Sequence, residues 1–158
     1  MSSQHLRSLQ DISLAKKLAA DPVVQSANAA LLREANNGSP GARRRLLSTS
    51  VRLNESISPM LYSLARHCTN RLGIDIPLEL YTYSSPQHNA ACVKPEDGQL
   101  FITFSSSLLN DYTQEELCFV MGHELGHYLF NHHDIPIGHI LRDKENTSPS
   151  LALSLIHI

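Results

Sequence analysis

The residues with the most chemistry in this sequence are His123, Glu124 and His127, in the run His123-Glu124-Leu125-Gly126-His127. On a helix, positions i and i+4 are separated by about 400° of rotation and about 6 Å of rise, so both imidazoles leave one face a turn apart. Two ring nitrogens placed in this way can meet a single zinc ion at about 2.0–2.1 Å each. Glu124 is turned by about 100° from His123, so its carboxylate can reach a reacting water without being a ligand. Zinc at that point acidifies water and polarises a scissile carbonyl, while Glu124 takes the water's proton and later delivers it to the leaving amine. The pattern reads as that of a zinc-dependent metalloendopeptidase acting on peptide or protein substrates. The competing reading is a surface helix with two hydrogen-bonded histidines, and it gives Glu124 no task.

This chemistry requires a helix, and the sequence supplies one. Thr113-Gln-Glu-Glu116 is a capping box, and the segment it opens carries a mixed apolar face of Leu117, Val120, Met121 and Leu125. The helix is expected to run to about Asn131. Upstream, Leu78–Tyr83 alternates after Pro77 and reads as a strand. Ala90–Val93 and Gln99–Phe104 flank Lys-Pro-Glu-Asp-Gly, a hairpin signal, and Ser105–Leu109 reads as a single helical turn.

Residues 1–72 read as helices. Leu6, Leu9, Ile12, Leu14 and Leu18 recur at helical spacing; Asp21-Pro22, Ser39-Pro40 and Ser58-Pro59 are start signals, and Gly38 and Gly73 are stops. Arg43-Arg44-Arg45 reads as a solvated helix face. The fold class expected is therefore α+β, with a helical N-terminal region, a small antiparallel sheet and the helix that bears the histidines. The domain reading is 1–72 helical, 73–135 a partial peptidase core, and 136–158 a poorly defined tail.

Composition narrows the function. The chain has 158 residues with 42% hydrophobic and 18% charged side chains, an ordinary globular balance. A formal net charge of −2 removes the electrostatic case for a nucleic-acid partner. Cys68, Cys92 and Cys118 form neither a CxxC pair nor an even framework, so no disulfide scaffold or cysteine zinc knuckle is readable. No membrane segment or signal peptide is apparent, which as written points to the cytoplasm. Of the nine histidines, six lie from His123 onward. His67 and His88 read as surface or satisfied core histidines, and Cys92 and Cys118 as small apolar groups.

The stretch from Asn89-Ala-Ala through Gly98-Gln-Leu-Phe-Ile-Thr-Phe and Ser107-Leu-Leu to Glu115–His132 resembles the core of the HtpX-like and CAAX-prenyl-type zinc peptidases. The shared order is an Asn-Ala strand, a hairpin, a small helix, and a Glu-Leu lead-in to the HExxH helix. This resemblance implies zinc as cofactor, His123 and His127 as ligands and Glu124 as catalytic base. It also implies that Asn89, Ala90 and Ala91, or the strand Gln99–Phe104, hold an extended peptide by β-augmentation. The family's third ligand is a glutamate on a later helix. The weak candidates here are Glu145, 18 residues past His127 with Pro149 four residues on, and His133, six residues past His127.

His133 has the spacing of HExxHxxGxxH sites, but Phe130 stands where that pattern needs glycine. His132 reads as a helix-end residue. The segment Leu153–Ile158 looks like a translated sequencing-adaptor tail, so the expectation is a C-terminally truncated fragment whose third-ligand helix is missing. Two other functions remain open. One is a non-catalytic zinc-containing interaction module that uses the N-terminal helices, and the other is a zinc hydrolase of non-peptide amides.

Overall fold

The computed structural model describes residues 7–36 and 41–136, with backbone alone for 34–36. The expected stop at Gly38, the start at Ser39-Pro40, Leu6, Glu145 and the tail beyond residue 136 lie outside the described residues. Among the described residues the fold is α+β: six α-helices and a four-stranded mixed sheet. The described chain divides into two compact units, one of residues 41–129 and one of 7–36 with 130–136.

In the second unit, α1 (Leu9–Ala20) starts at Ser8, whose hydroxyl accepts from the Asp11 N–H. Helix α2 (Pro22–Asn36) starts at Asp21, whose carboxylate accepts from the Val23 N–H at 2.8 Å. Leu18, Val24, Ala27 and Ile135 form a small core there. The Asn28 amide donates to the Asp134 carbonyl at 2.8 Å.

The larger unit opens with α3 (Ala42–Thr49), followed by β1 (Val51–Arg52) and α4 (Pro59–Leu72). Gly41 is the N-cap of α3 and has no side chain to cap with. Glu96 replaces it from a distant strand, accepting from the Arg43 N–H at 3.2 Å. A Cβ on Gly41 would lie 2.2 Å from the Glu96 carboxylate, so a larger residue there would push that carboxylate off the cap. Helix α4 ends at Gly73, whose left-handed φ of 67° closes the helix as its sequence position suggests.

The remaining strands are β2 (Leu78–Tyr83), β3 (Ala90–Glu96) and β4 (Gln99–Ser105), in the order β1-β2-β4-β3. The pairs β1–β2 and β3–β4 are antiparallel, as the expected small antiparallel sheet requires, but β2 and β4 run parallel at the centre. The run Leu100–Phe104, apolar but for the buried Thr103, fits this central place, since a central strand is covered on both faces and need not alternate. The hairpin turn is tighter than the sequence loop suggested. It is Asp97-Gly98, both at positive φ, which suits a two-residue connection. Strand β3 reaches Glu96 through an irregularity between Val93 and Glu96, where Pro95 is tolerated.

Alternation along the strands separates two cores. Leu80, Leu100, Ile102 and Phe104 face α4 and the helix that follows the sheet. Tyr81 and Phe101 face Ala42 and Leu46 of α3. On that second face Glu79 is buried and takes both Arg43 and Arg52 at 3.0 Å and the Tyr81 hydroxyl at 2.6 Å. Arg43 is therefore an anchor for α3, not a purely solvated residue as the sequence suggested. Burial alone would raise the pKa of Glu79. The Tyr81 and Arg43 hydrogen bonds and the two guanidinium charges outweigh it and hold the carboxyl below its ordinary range.

Candidate metal centre and active site

Two short elements lead from the sheet to the site. Strand β4 ends at Ser105, whose fully buried hydroxyl caps α5 (Ser106–Asp111) by accepting from the Leu108 N–H at 3.3 Å. The same oxygen accepts from the Asn89 N–H at 3.0 Å, so one serine fixes both the helix start and the root of β3. Helix α6 (Gln114–Leu129) then begins with the expected box. Glu116 accepts from the Thr113 N–H at 2.8 Å and its hydroxyl at 2.9 Å, and the Glu116 N–H returns to the Thr113 hydroxyl at 3.3 Å.

Leu117, Met121 and Leu125 of α6 are buried against the core of α4 and the sheet. This face fixes the rotation of the helix about its axis, and with it the directions of His123 and His127. Their Nε2 atoms stand 3.2 Å apart, with ring centroids 4.7 Å apart and nearly perpendicular planes. Glu124 is 8% exposed and lies toward β3, where its carboxylate accepts from the Cys92 backbone N–H at 2.8 Å. Among the described residues, His123, Glu124 and His127 are the one group whose donor atoms gather closely enough, within 4.8 Å, to hold a metal ion.

Burial raises the pKa of Glu124, opposed by the Cys92 N–H bond and by the neighbouring His123. Burial and the Glu124 charge together push the Cys92 thiol up to about 12. Cys92 thus contributes through its backbone, which no motif in the sequence could signal, because the bond joins positions 32 residues apart.

The ladder settles which strand has a free edge. β4 is paired on both sides, so Gln99–Phe104 has no edge to offer a peptide; β3 is the edge strand. The Asn89 carbonyl accepts from the Ser105 N–H and the Cys92 N–H points outward to Glu124. Antiparallel alternation then turns the backbone of Asn89 and Ala91 toward β4, and that of Ala90 and Cys92 toward the free edge. The Asn89 side chain donates to the Tyr83 hydroxyl at 3.1 Å.

A cleft of about 350 Å³ lies along this edge, lined by residues that include His88, Ala90, Tyr112, Phe119, Val120, His123 and Glu124. His88 pairs with Asp111 at 2.7 Å and packs on the Tyr112 ring. That pairing holds the Asp111 carboxyl below its usual range.

Helix α6 ends two residues earlier than expected. Asn131 takes a left-handed φ of 57°, a conformation asparagine tolerates, and His132–Asp134 forms a separate 3-10 turn. His133 therefore does not continue the helix, and His132 lies 3.2 Å from the Asp11 carboxylate.

A family model described as Peptidase family M48 matches residues 53–144, more than half of the chain. The chain belongs to peptidase family M48. That span runs from Leu53, through α4 and strands β2, β3 and β4, to the HExxH helix and beyond it. M48 membership supports a metallopeptidase, in a family that is generally zinc-dependent, with peptides or proteins as substrates. Among the described residues of this M48 chain, no helix is long and apolar enough to cross a membrane.

Proposed function

We propose that this M48 chain carries the metal site and general base of a zinc-dependent metalloendopeptidase. The observation that carries the reading is the 3.2 Å separation of the two Nε2 atoms beside a buried carboxylate. Two nitrogens bound to one tetrahedral ion at about 2.05 Å each would stand about 3.3 Å apart, so the imidazoles suit zinc with little rearrangement. His123 and His127 would hold the metal, which when bound supplies a Lewis acid for a carbonyl and for water.

Glu124 is the base in this reading. Its pKa, raised by burial, favours proton uptake during attack and proton delivery to the leaving amine afterwards. The Cys92 N–H keeps one carboxylate oxygen fixed, leaving the other for the reacting proton. The outward backbone groups of Ala90 would pair with an extended peptide added to β3. Asn89 would support that pairing through Tyr83, and Tyr112, Val120 and Phe119 would accommodate an apolar substrate side chain.

The experiment is hydrolysis of a quenched fluorescent peptide library by zinc-loaded wild type and Glu124→Gln. The expected result is zinc retained by the variant and cleavage reduced by about 10²–10⁴-fold, the usual share of a general base. Unchanged cleavage in Glu124→Gln would overturn the role of Glu124 as base, and no cleavage by either protein would leave the interaction-module reading in its place.

A further inference from the structure

Away from the metal site, two of the three cysteines come together where α4 packs on α6. Cys68 of α4 is buried, and its Sγ lies 3.8 Å from the Sγ of half-buried Cys118 on α6. The Cys68 thiol also reaches the Cys118 carbonyl at 3.7 Å. All three cysteines are free thiols.

We infer that Cys68 and Cys118 form a reversible oxidation site that takes a hydroperoxide and yields an intramolecular disulfide between α4 and α6. A disulfide needs the sulfurs at about 2.05 Å, so they must approach by about 1.8 Å. Side-chain rotation with a small shift of two packed helices can supply that distance.

The division of labour follows from exposure. Cys118 is half-buried and offers the sulfur a peroxide can reach; Cys68 is enclosed, and burial pushes its thiol well up, so it does not react first. The Cys118 thiolate attacks one peroxide oxygen, an S–O bond forms, the O–O bond breaks, and the second oxygen leaves as water or an alcohol once protonated. The Cys68 sulfur then attacks the Cys118 sulfenic sulfur, an S–S bond forms, the S–O bond breaks, and the hydroxyl leaves as water with the Cys68 proton. Two thiols are oxidised by two electrons in all and one peroxide is reduced. Enclosure of Cys68 beside the sulfenic acid favours this closure over further oxidation of Cys118.

Cys118 lies five residues before His123 on the same helix, so the bond would tie the metal-bearing helix to α4 without touching the metal ligands. The chemistry does not depend on the peptidase reading and can be tested on the metal-free chain.

The test treats the folded full chain with excess hydrogen peroxide, blocks remaining thiols with an alkylating agent, and maps non-reduced peptides by mass. The expected result is a fall from three alkylatable thiols to one, Cys92, with Cys68 and Cys118 peptides joined two hydrogens lighter and released by dithiothreitol. In Cys68→Ser, the Cys118 sulfenic acid should instead be trapped by dimedone. The proposal is overturned if wild-type Cys118 proceeds to sulfinic acid while Cys68 stays alkylatable, or if Cys118 pairs between chains.

Discussion

The bond between the Cys92 N–H and the Glu124 carboxylate fixes how protected that amide must be. Cys92 lies on the free edge of β3, where the ladder offers its N–H no partner, and Glu124 accepts it at 2.8 Å. A hydrogen bond to a charged acceptor contributes about 1.5–3 kcal/mol net. At about 1.4 kcal/mol per factor of ten, the amide should exchange with solvent roughly 10- to 100-fold more slowly than its intrinsic rate. Ala90, on the same edge without such a partner, should show no comparable slowing. Glu124→Gln keeps a neutral acceptor worth about 0.5–1.5 kcal/mol, so protection should fall to roughly 2- to 10-fold; Glu124→Ala should abolish it. The assay is amide exchange by NMR on the metal-free chain, with the Cys92 proton shift followed against pH. Since burial raises the pKa of Glu124, that shift should titrate at a higher pH than for an exposed glutamate. Protection of Cys92 that survives Glu124→Ala would show that the Glu124 carboxylate is not what holds this amide.

Other perturbations test the frame around the site. Glu79→Ala leaves the buried Tyr81 hydroxyl without its acceptor and should cost about 1–3 kcal/mol in urea titrations. Because the native pKa of Glu79 is lowered, its stabilisation is present above the ordinary value of 4.5 and should disappear as pH falls through the native value. Glu124 has the opposite sign. Its raised native pKa means stability falls as pH rises from the ordinary carboxylate value through the native one, so metal-free Glu124→Gln should be more stable than wild type at neutral pH, and the gain should vanish in acid. Ser105→Ala removes an acceptor shared by the Asn89 and Leu108 N–H groups and should cost about 1–3 kcal/mol in the same titrations, with shifts of the Asn89 amide resonance. Gly73→Ala places a side chain at φ 67° and should cost about 1–2 kcal/mol.

What could be read from the sequence was local. The Thr113–Glu116 box, the Ser-Pro start and Gly73 stop of α4 and the HExxH spacing all depend on residues a few positions apart, and each stands where its chemistry suggested; the hairpin signal in Lys94–Gly98 also held, with the turn narrowed to Asp97-Gly98. The parallel seating of β4 beside β2 is a long-range choice, visible only indirectly in the run Leu100–Phe104, apolar but for Thr103. The capping of α3 by Glu96, the anchoring of Arg43 on Glu79 and the fixing of Glu124 by Cys92 join positions 53, 36 and 32 residues apart, and no periodicity encodes them. The end of α6 was overrun because Leu129 and Phe130 keep the apolar character of the helix, while the left-handed Asn131 that stops it carries only a weak signal. For the site itself, the spacing alone suggested the candidate ligand pair His123 and His127 and the candidate base Glu124, whereas the choice of β3 over β4 as the free edge needed the strand order.

Zinc affinity, measured by competition with a chromophoric chelator, reads whether the two imidazoles of α6 hold one metal ion. About 10–16 kcal/mol spread over four ligands in structural zinc sites is about 3 kcal/mol for each. Wild type should bind one zinc per chain, and His127→Ala should bind it about 100-fold more weakly. Equal affinity in wild type and His127→Ala would mean that His127 is not a ligand.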